Sequence, residues 1–392
     1  MYEIMTADEA IRLIRDGDCI CVNSFVGIEN PIELHEAIYR RYQKMQSPTH
    51  LTMISSAGFG VWDDEHNAEG YIREGAVDKL ICGHFGAMFS TKKLVLEDRF
   101  EAYNLPLGCI SHAIRAQAGG LPGALSKVGL DIFVDPRKEG PGINRISIDD
   151  SLVRHVEVDG EEFLYYKLPK INIALIKGTA ADRKGNITFD DMFMSGDALS
   201  ICQAVKANRG KVIVQVDRLV DTPSRPRNAI IPGCLVDAIV VAEPEARNEA
   251  YTALTGSFEI PYEEWNTWSE RLDSVSVKQS KNNTVANIIG KRASKELRVD
   301  DIVNIGIGIP EMVSRFARKS GMIGAASVYD MANQFDLYDN GGLDVCFMGA
   351  LEVDKEGNVN AHRGPGAFAG IGGFANITAK TPTVVFCFSF TA

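Results

Sequence analysis

Long apolar segments and runs of basic residues are both missing from this sequence. Its longest apolar stretches, near Ile239–Val241 and Val384–Phe390, fall far short of the ~20 residues that a membrane-spanning helix needs. The 41 Lys and Arg residues are outnumbered by 52 Asp and Glu residues, which gives a formal net charge of −11. A protein of that charge does not favour non-specific binding to DNA or to anionic lipid. We therefore expect neither nucleic acid nor a membrane among its partners.

Signatures of metal sites and dithiol chemistry are absent as well. None of the eight cysteines forms a Cys-x-x-Cys pair, and the seven histidines show no spacing typical of metal ligands. The N-terminus has neither the basic region nor the apolar region of a signal peptide. These absences predict free thiols in a reducing, cytoplasmic location, with no metal and no permanently bound cofactor. A serine hydrolase is not supported either, because no Gly-x-Ser-x-Gly motif occurs.

What the sequence does contain is an alternation of short β-branched runs with segments of helical periodicity. This pattern is typical of an α/β fold with largely parallel sheets. The predicted strands are Cys19–Val22, Leu51–Ser55, Lys79–Cys82, Ile132–Val134, Ile171–Ile176, Val212–Val216 and Ala238–Val241. The predicted helices include Asp8–Arg15, Pro31–Tyr42 and Glu311–Lys319. The length of 392 residues and a polar, poorly periodic stretch predict two domains, at residues 1–262 and 284–392, joined by a linker at 263–283.

A weak internal repeat indicates that the two domains are related. Two pairs of segments match in the same order along the chain: Asp18–Val22 with Asp301–Ile305, and Ile171–Ile187 with Leu343–Val359. In the second pair, an apolar strand is followed by a charged turn that ends in Gly-Asn. Similarity at this spacing favours two α/β domains built on one pattern. Chance likeness between α/β strands and turns is the alternative.

Two glycine-rich stretches are candidate ligand loops. Gly306–Pro310 lies between a predicted strand and a predicted helix, where backbone N–H groups can approach an anion. Tight packing of strand against helix explains such a loop equally well. Gly364–Phe374 holds five glycines in eleven residues, which indicates close approach to the backbone, although a structural turn is also possible.

Several motifs together make the chain resemble the family I coenzyme A (CoA) transferases, most closely the fused acetate/propionate (short-chain acyl) type with homologous halves. In chain order they are Phe133–Arg137, Leu164–Lys167, Ile231–Asp237, Gly306–Pro310, Asp330–Asp336 and Gly370–Phe374. The resemblance implies two related open α/β domains, an α-type domain at 1–262 and a β-type domain at 284–392, in a homo-oligomer. It also implies ping-pong transfer of CoA between acyl-CoA and a short-chain carboxylate, through a glutamyl-CoA thioester. CoA is then a substrate and not a resident cofactor.

The same resemblance implies roles for particular residues. It places CoA beside Gly306, Ile307, Gly308, Ile309, Pro310 and Asn360. It places the oxyanion and acyl pocket at Gly372, Gly373 and Leu107. Relatives commonly carry Gln at the position of Leu107, so the pocket is expected to lose an amide donor and acceptor there.

The sequence departs from the family at its nucleophile. The family glutamate is missing between Met322 and Ile323, since no acidic residue occurs from Ser320 to Tyr329. Glu311 is interpreted as a solvated residue at a helix N-terminus. Relatives also continue beyond Ala392, so the second domain is expected to be incomplete, and we expect no transfer activity from the 392-residue chain. Two alternatives remain: a non-catalytic CoA- or acyl-CoA-binding relative that acts as a sensor or partner subunit, and another activity on this scaffold, such as sugar-phosphate isomerisation.

Overall fold

A computed structural model describes residues 2–60, 68–192, 194–222, 224–244, 284–317, 329–364 and 367–389. The chain divides into two compact units. The first comprises Met1–Ala250 with Asp330–Ala332 and Gly370–Gly372, and the second comprises the remainder from Tyr251 onward. The predicted domain boundary at 262, the linker at 263–283 and the junction between Met322 and Ile323 lie outside the described residues.

The first unit is built around a ten-stranded sheet of mainly parallel strands. The described strands of the first unit, which belong to this sheet and to a smaller one, are β1 (Glu3–Ile4), β2 (Cys19–Val22), β3 (Leu51–Ser55), β4 (Val77–Cys82), β5 (Glu101–Asn104), β6 (Ala124–Ser126), β7 (Val153–Val158), β8 (Glu161–Tyr166), β9 (Ile173–Asp182), β10 (Ile187–Thr188), β11 (Lys211–Val220), β12 (Ala229–Ile231) and β13 (Ala238–Val241). The sheet order is β1-β13-β11-β9-β2-β3-β4-β5, with β10 antiparallel to β9 and to β12. Every residue of β2 and β9 is buried, as is usual for central parallel strands covered on both faces.

The sequence predicted two of the helices of the first unit, at 8–15 and 31–42. The described helices of this unit are α1 (Ala7–Ala10), α2 (Ile32–Met45), α3 (Glu69–Arg73), α4 (Phe89–Leu96), α5 (Leu107–Ala118) and α6 (Ala198–Ala207). The helix predicted at 8–15 is a single α-turn that continues as a 3-10 helix at Ile11–Leu13. Helix α1 starts where Thr6 and Glu9 form a reciprocal capping box.

The strand predicted at Ile132–Val134 is wrong, because this segment forms turns. The carboxylate of Asp135 accepts the backbone N–H of Asp131 at 3.0 Å, and the N–H of Asp135 donates to the carbonyl of Ile132 at 3.0 Å. A side chain that bonds its own local backbone competes with strand pairing. The nearby sheet is instead an antiparallel one, in the order β6-β8-β7.

The second unit has a smaller parallel sheet, in the order β14-β15-β20. Its described strands are β14 (Val303–Ile305), β15 (Val345–Met348), β16 (Glu352–Val353), β17 (Val359–Asn360), β18 (Arg363–Gly364), β19 (Ala367–Phe368) and β20 (Thr383–Phe386). Its described helices are α7 (Thr284–Ala293), α8 (Met312–Ala317), α9 (Met331–Asp339, of which the first two residues group with the first unit) and α10 (Phe374–Ala379). The buried core joins Ala293, Val313, Val345, Phe347 and Cys387.

The charged turns of the internal repeat have the same hydrogen-bond pattern in both units. In the first, the carboxylate of Asp182 accepts the N–H of Lys184 at 2.8 Å and of Asn186 at 3.0 Å, and also the Asn186 amide. In the second, Asp354 accepts the N–H of Glu356 at 3.0 Å and of Asn358 at 2.8 Å, and also the Asn358 amide. The glycine before each Asn has a positive φ, +74° at 185 and +87° at 357.

The other matched pair also repeats its contacts. The N–H of Arg15 donates to Asp18 at 2.7 Å, and the N–H of Arg298 donates to Asp301 at 2.8 Å. The residue after each aspartate donates its N–H to the side chain of the second residue in the other matched segment, Cys19 to Asn172 and Ile302 to Asp344. Agreement in these separate contacts favours the repeat over chance likeness.

Asp182→Ala is expected to destabilise the first unit by about 2 kcal/mol, because it removes a 3%-exposed acceptor of several N–H groups. Burial opposes ionisation of Asp182, yet hydrogen bonds from Ser224, Asn186 and Lys184 hold its pKa down to about 2. This stabilisation is therefore complete above about pH 4 and is lost as the pH falls toward 2. Urea denaturation, with hydrogen exchange to separate the units, measures the change.

Asp354→Ala is the matched control, because the same turn is exposed in the second unit. Its expected cost is much smaller, because water solvates the N–H groups that lose this exposed acceptor. Equal costs for the two substitutions would contradict the prediction.

Candidate functional site

Polar side chains in the first unit follow the carboxyl ends of its central strands. Asn23 comes after β2, Ser56 lies just beyond β3, His84 lies just beyond β4, and Asn104 ends β5. Parallel strands bring all these ends to one edge of the sheet, which is where open α/β sheets bind their ligands. Asn104 is only 1% exposed, so its amide is committed to partners within the protein.

The segment Gly370–Gly372 is bound at this edge. The N–H of Gly372 donates to the carbonyl of Gly83 at 2.7 Å, and the N–H of Ile371 donates to the Asn104 side chain at 2.9 Å. The Asn104 amide in turn donates to the carbonyls of Cys82 at 2.9 Å and Gly83 at 2.8 Å. One asparagine thus joins β4, β5 and a segment far along the sequence.

Glycine at 370 is a requirement of this arrangement. Its φ is +79°, and a Cβ there would lie 2.9 Å from both the Asn104 amide nitrogen and the Gly83 carbonyl oxygen. No side chain fits at that distance without a shift of the backbone. The glycine-rich stretch singled out in the sequence therefore makes the close backbone approach that its composition indicates.

Leu107 and Gly372, two of the predicted pocket residues, come together. Leu107 is the first residue of α5, and its N–H donates to the carbonyl of Gly372 at 2.9 Å. Its side chain is buried. The N–H of Gly372 is already engaged with Gly83, so this group is not free to stabilise an oxyanion in the present conformation. Gly373 belongs to the second unit, where it precedes α10.

His84 supplies a neutral imidazole beside Gly372. A Cβ on Gly372 would lie 3.6 Å from Cδ2 of the His84 ring, so little separates the two residues. Burial lowers the pKa of His84 to about 4, with a smaller contribution from the charge on Lys92. This histidine is therefore uncharged at neutral pH.

Sequence reasoning missed a buried carboxyl network at the same edge. Asp197, which precedes α6, accepts the hydroxyl of Ser56 at 2.6 Å and that of Ser111 at 2.8 Å. Burial raises the pKa of Asp197. No local motif predicts this network, because its members lie in α5, just after β3 and just before α6. The one available signal is a Gly-Asp pair directly before a helix.

The predicted CoA loop of the second unit uses its glycine N–H groups internally. The N–H of Gly306 donates to Phe347 at 2.7 Å, and that of Gly308 donates to the Glu311 carboxylate at 2.9 Å. The side chain of Ile307, at the tip, is 78% exposed. A carboxylate already at the helix start disfavours a second anion there. The loop suits an uncharged ligand better than a phosphate.

Asn360, the other predicted CoA contact, uses its side chain for hydrogen bonds within the second unit. Its amide nitrogen donates to Glu352 at 2.9 Å and to the carbonyl of Arg363, while its oxygen accepts the N–H of His362 at 3.3 Å. These bonds shape the turn that follows β17. A role in CoA binding would come through the shape of this turn.

Within the ranges given above, no group of three or more His, Cys, Asp or Glu side chains is arranged to hold a metal ion. In that same part of the chain, no helix has the length and apolar character to cross a membrane.

Comparison with known proteins decides the family. Residues 4–242 match the family model described as coenzyme A transferase. The chain is 34% identical to acetate CoA-transferase YdiF of Escherichia coli K12, over 99% of this chain and 76% of that protein. It is also 34% identical to the caffeate CoA-transferase of Acetobacterium woodii, over 100% of this chain and 79% of that protein.

The chain belongs to the coenzyme A transferase family. Among solved structures, the acyl-CoA transferase YdiF of Escherichia coli O157:H7, in a thioester complex with CoA, matches it with a TM-score of 0.86 at 32% identity, covering 100% of this chain and 77% of that one. The predicted family and the mixed α/β fold class are confirmed. The two relatives named above are CoA-transferases, and this chain is an enzyme of that family.

His84→Gln is expected to weaken the acid sensitivity of this CoA-transferase fold. His84 has a folded pKa of about 4 against an ordinary value of 6.5, so the unfolded chain binds the proton first as the pH falls. Wild-type stability therefore drops between about pH 6.5 and 4, and the variant should lose about 1–2 kcal/mol less than wild type between pH 7 and 5. Urea denaturation at both values measures this.

His35 serves as the reference in that experiment, because burial lowers its pKa to about 3 and it is present in both proteins. The comparison therefore isolates His84. An unchanged slope of stability against pH in the variant would contradict the prediction.

Proposed function

We propose that this protein is of the type that transfers CoA between an acyl-CoA and a free short-chain carboxylic acid through a glutamyl-CoA thioester, with the segment that carries the nucleophilic glutamate absent from the 392-residue chain. The alternative is a non-catalytic relative that binds CoA or acyl-CoA. The single observation that carries the proposal is the binding of Gly370–Gly372 at the carboxyl edge beside Leu107 and His84. We place the α-type domain at residues 1–262, the linker at 263–283 and the β-type domain at 284–392. We further propose a cytoplasmic homo-oligomer.

The proposed chemistry is a sequence of acyl transfers. A glutamate carboxylate attacks the thioester carbonyl, forming a C–O bond and releasing the CoA thiolate, which leaves an acyl anhydride. The thiolate then attacks the glutamyl carbonyl, releasing the first carboxylate and leaving the glutamyl thioester. The acceptor acid reverses these steps. A carboxylate nucleophile divides one difficult exchange into easier ones, and each step develops an oxyanion that N–H donors stabilise.

On the CoA side, the proposal uses the second unit. The exposed Ile307 and the bend at Gly308 offer contact to the uncharged pantetheine arm, with Ile309 and Pro310 supporting the loop. Glu311 argues against phosphate at this point. Asn360 contributes by fixing the turn after β17.

On the acyl side, the proposal uses the first unit. Leu107 presents no donor or acceptor from its side chain, and His84 is neutral, so nothing there recognises a second carboxylate. Small uncharged acyl groups, such as acetyl and propionyl, fit these surroundings better than dicarboxylic acids. The two relatives described above are named for the acids acetate and caffeate. Gly373 is proposed as the N–H donor to the reacting carbonyl, since the Gly372 N–H is engaged.

The 392-residue chain is expected to bind CoA and to show no exchange between acetyl-CoA and propionate. The reason is that the family glutamate is missing between Met322 and Ile323. Inserting a glutamate-containing segment at that junction should restore formation of a covalent CoA adduct, detected by intact mass after mixing with acetyl-CoA. The same insert with Gln in place of Glu is the matched control.

Three results would count against the proposal. Failure to bind CoA would remove the function itself. Exchange by the chain without the insert would place the nucleophile elsewhere, and Glu311→Gln would then test the nearest carboxylate. Binding without any adduct from the glutamate insert would support the non-catalytic alternative.

A further inference from the structure

Helix α5 contacts two segments that come from the second half of the sequence. At its first residue, the N–H of Leu107 donates to the carbonyl of Gly372 at 2.9 Å. Just over one turn later, Nε2 of His112 donates to the carbonyl of Ala332 at 3.2 Å. One helix therefore touches both Gly370–Gly372 and Asp330–Ala332. The position of α5 sets where both segments lie.

The chain just before α6 contacts the same pair of elements. The N–H of Met331 donates to the carbonyl of Gly196 at 2.9 Å. The next residue, Asp197, accepts the hydroxyl of Ser111, the neighbour of His112 in α5, at 2.8 Å. The pair Gly196–Asp197 thus faces the pair Ser111–His112. Asp197 binds Ser111, while Gly196 and His112 each bind the segment Asp330–Ala332.

The carboxyl group at the centre of this arrangement is held from several sides. Its residue, Asp197, donates its backbone N–H to the Asn23 side chain at 2.9 Å, and its Oδ2 also accepts the hydroxyl of Ser56 at 2.6 Å. Asp197 is 3% exposed and Ser111 is fully buried. Hydrogen bonds in such surroundings are stronger than in water, and losing one leaves a buried group unsatisfied.

The other oxygen of this carboxyl, Oδ1, is buried and accepts no hydrogen bond from the described residues. Burial is the largest effect on the pKa of Asp197 and raises it, as does the charge of Asp330, while the hydroxyls of Ser56 and Ser111 and the nearby His112 lower it. An asparagine at 197 has nearly the shape of the native side chain and keeps an oxygen that accepts both hydroxyls.

We propose that Asp197 is a positioning residue: through Ser111 it fixes α5, and through α5 it fixes Asp330–Ala332 and Gly370–Gly372 at the carboxyl edge of the sheet. Its consequence for acyl transfer rests on the proposed function. The arrangement of bonds does not, so it is tested by a measurement that needs no turnover.

The test is hydrogen exchange of the full chain, read on the amides of Met331, Ile371 and Gly372. Asp197→Ala and Ser111→Ala are each expected to speed exchange of both segments about tenfold, since both remove the buried bond between Ser111 and Asp197. Asp197→Asn should stay within about twofold of wild type, because its side-chain oxygen still accepts both hydroxyls. Rescue by this variant separates positioning from simple loss of volume.

Ser56→Ala is the matched control. It removes a bond to the same oxygen, of similar length, and among the described residues the Ser56 hydroxyl donates to Asp197 and to neither segment. It should change exchange in the two segments by less than about threefold. Exchange in β11 reports global unfolding and is the baseline from which the change in the two segments is read in all four variants.

The proposal is overturned if Ser56→Ala and Ser111→Ala have equal effects on the two segments, if only one segment responds, or if Asp197→Asn behaves like Asp197→Ala. Should Asp197→Ala fail to fold, Ser111→Ala decides the outcome alone. If the wild-type protein does not bind CoA, the proposed function is refuted, while the hydrogen-exchange results remain valid.

Discussion

The parallel pairing of β9, β2, β3, β4 and β5 is the constraint on which the rest of the first unit depends. Parallel strands covered on both faces end together at one edge, where the backbone loses its ladder partners and polar groups must find others. Asn104 illustrates the solution, since its amide replaces the missing ladder bonds of Cys82 and Gly83 and also receives Ile371. The geometry of the candidate site therefore follows from the way in which the sheet edge satisfies its own hydrogen bonds.

Much of this architecture is readable from local sequence. The central strands were predictable because continuous burial requires continuous apolar runs, as in Cys19–Val22. The repeated charged turns were predictable because Asp, Gly and Asn act within a few residues of one another. The mistaken strand at Ile132–Val134 had the right composition. It failed because Asp135, one residue further on, bonds the local backbone.

The site itself was less accessible from the sequence, for a reason of distance along the chain. Asn104 binds Ile371, which lies 267 residues away, and Ser111 binds Asp197 across 86 residues. Neither pair leaves a local pattern. Gly370 and Leu107 could be singled out because glycine density and a departure from the family motif are visible in one sequence. The functions of the glycine N–H groups could not, since Gly306 and Gly372 donate to acceptors that only the fold supplies.

Two side chains at the carboxyl edge, His84 and Leu107, carry no charge. Burial keeps His84 neutral, and Leu107 is apolar. In the proposed reaction a carboxylate attacks a thioester and an oxyanion develops, so negative charge is added to the surroundings. A fixed anion at either of these two positions would oppose that charge, and a fixed cation would hold the carboxylate in its ground state. The two uncharged side chains do neither, so the burial that lowers the pKa of His84 is compatible with the proposed acyl exchange.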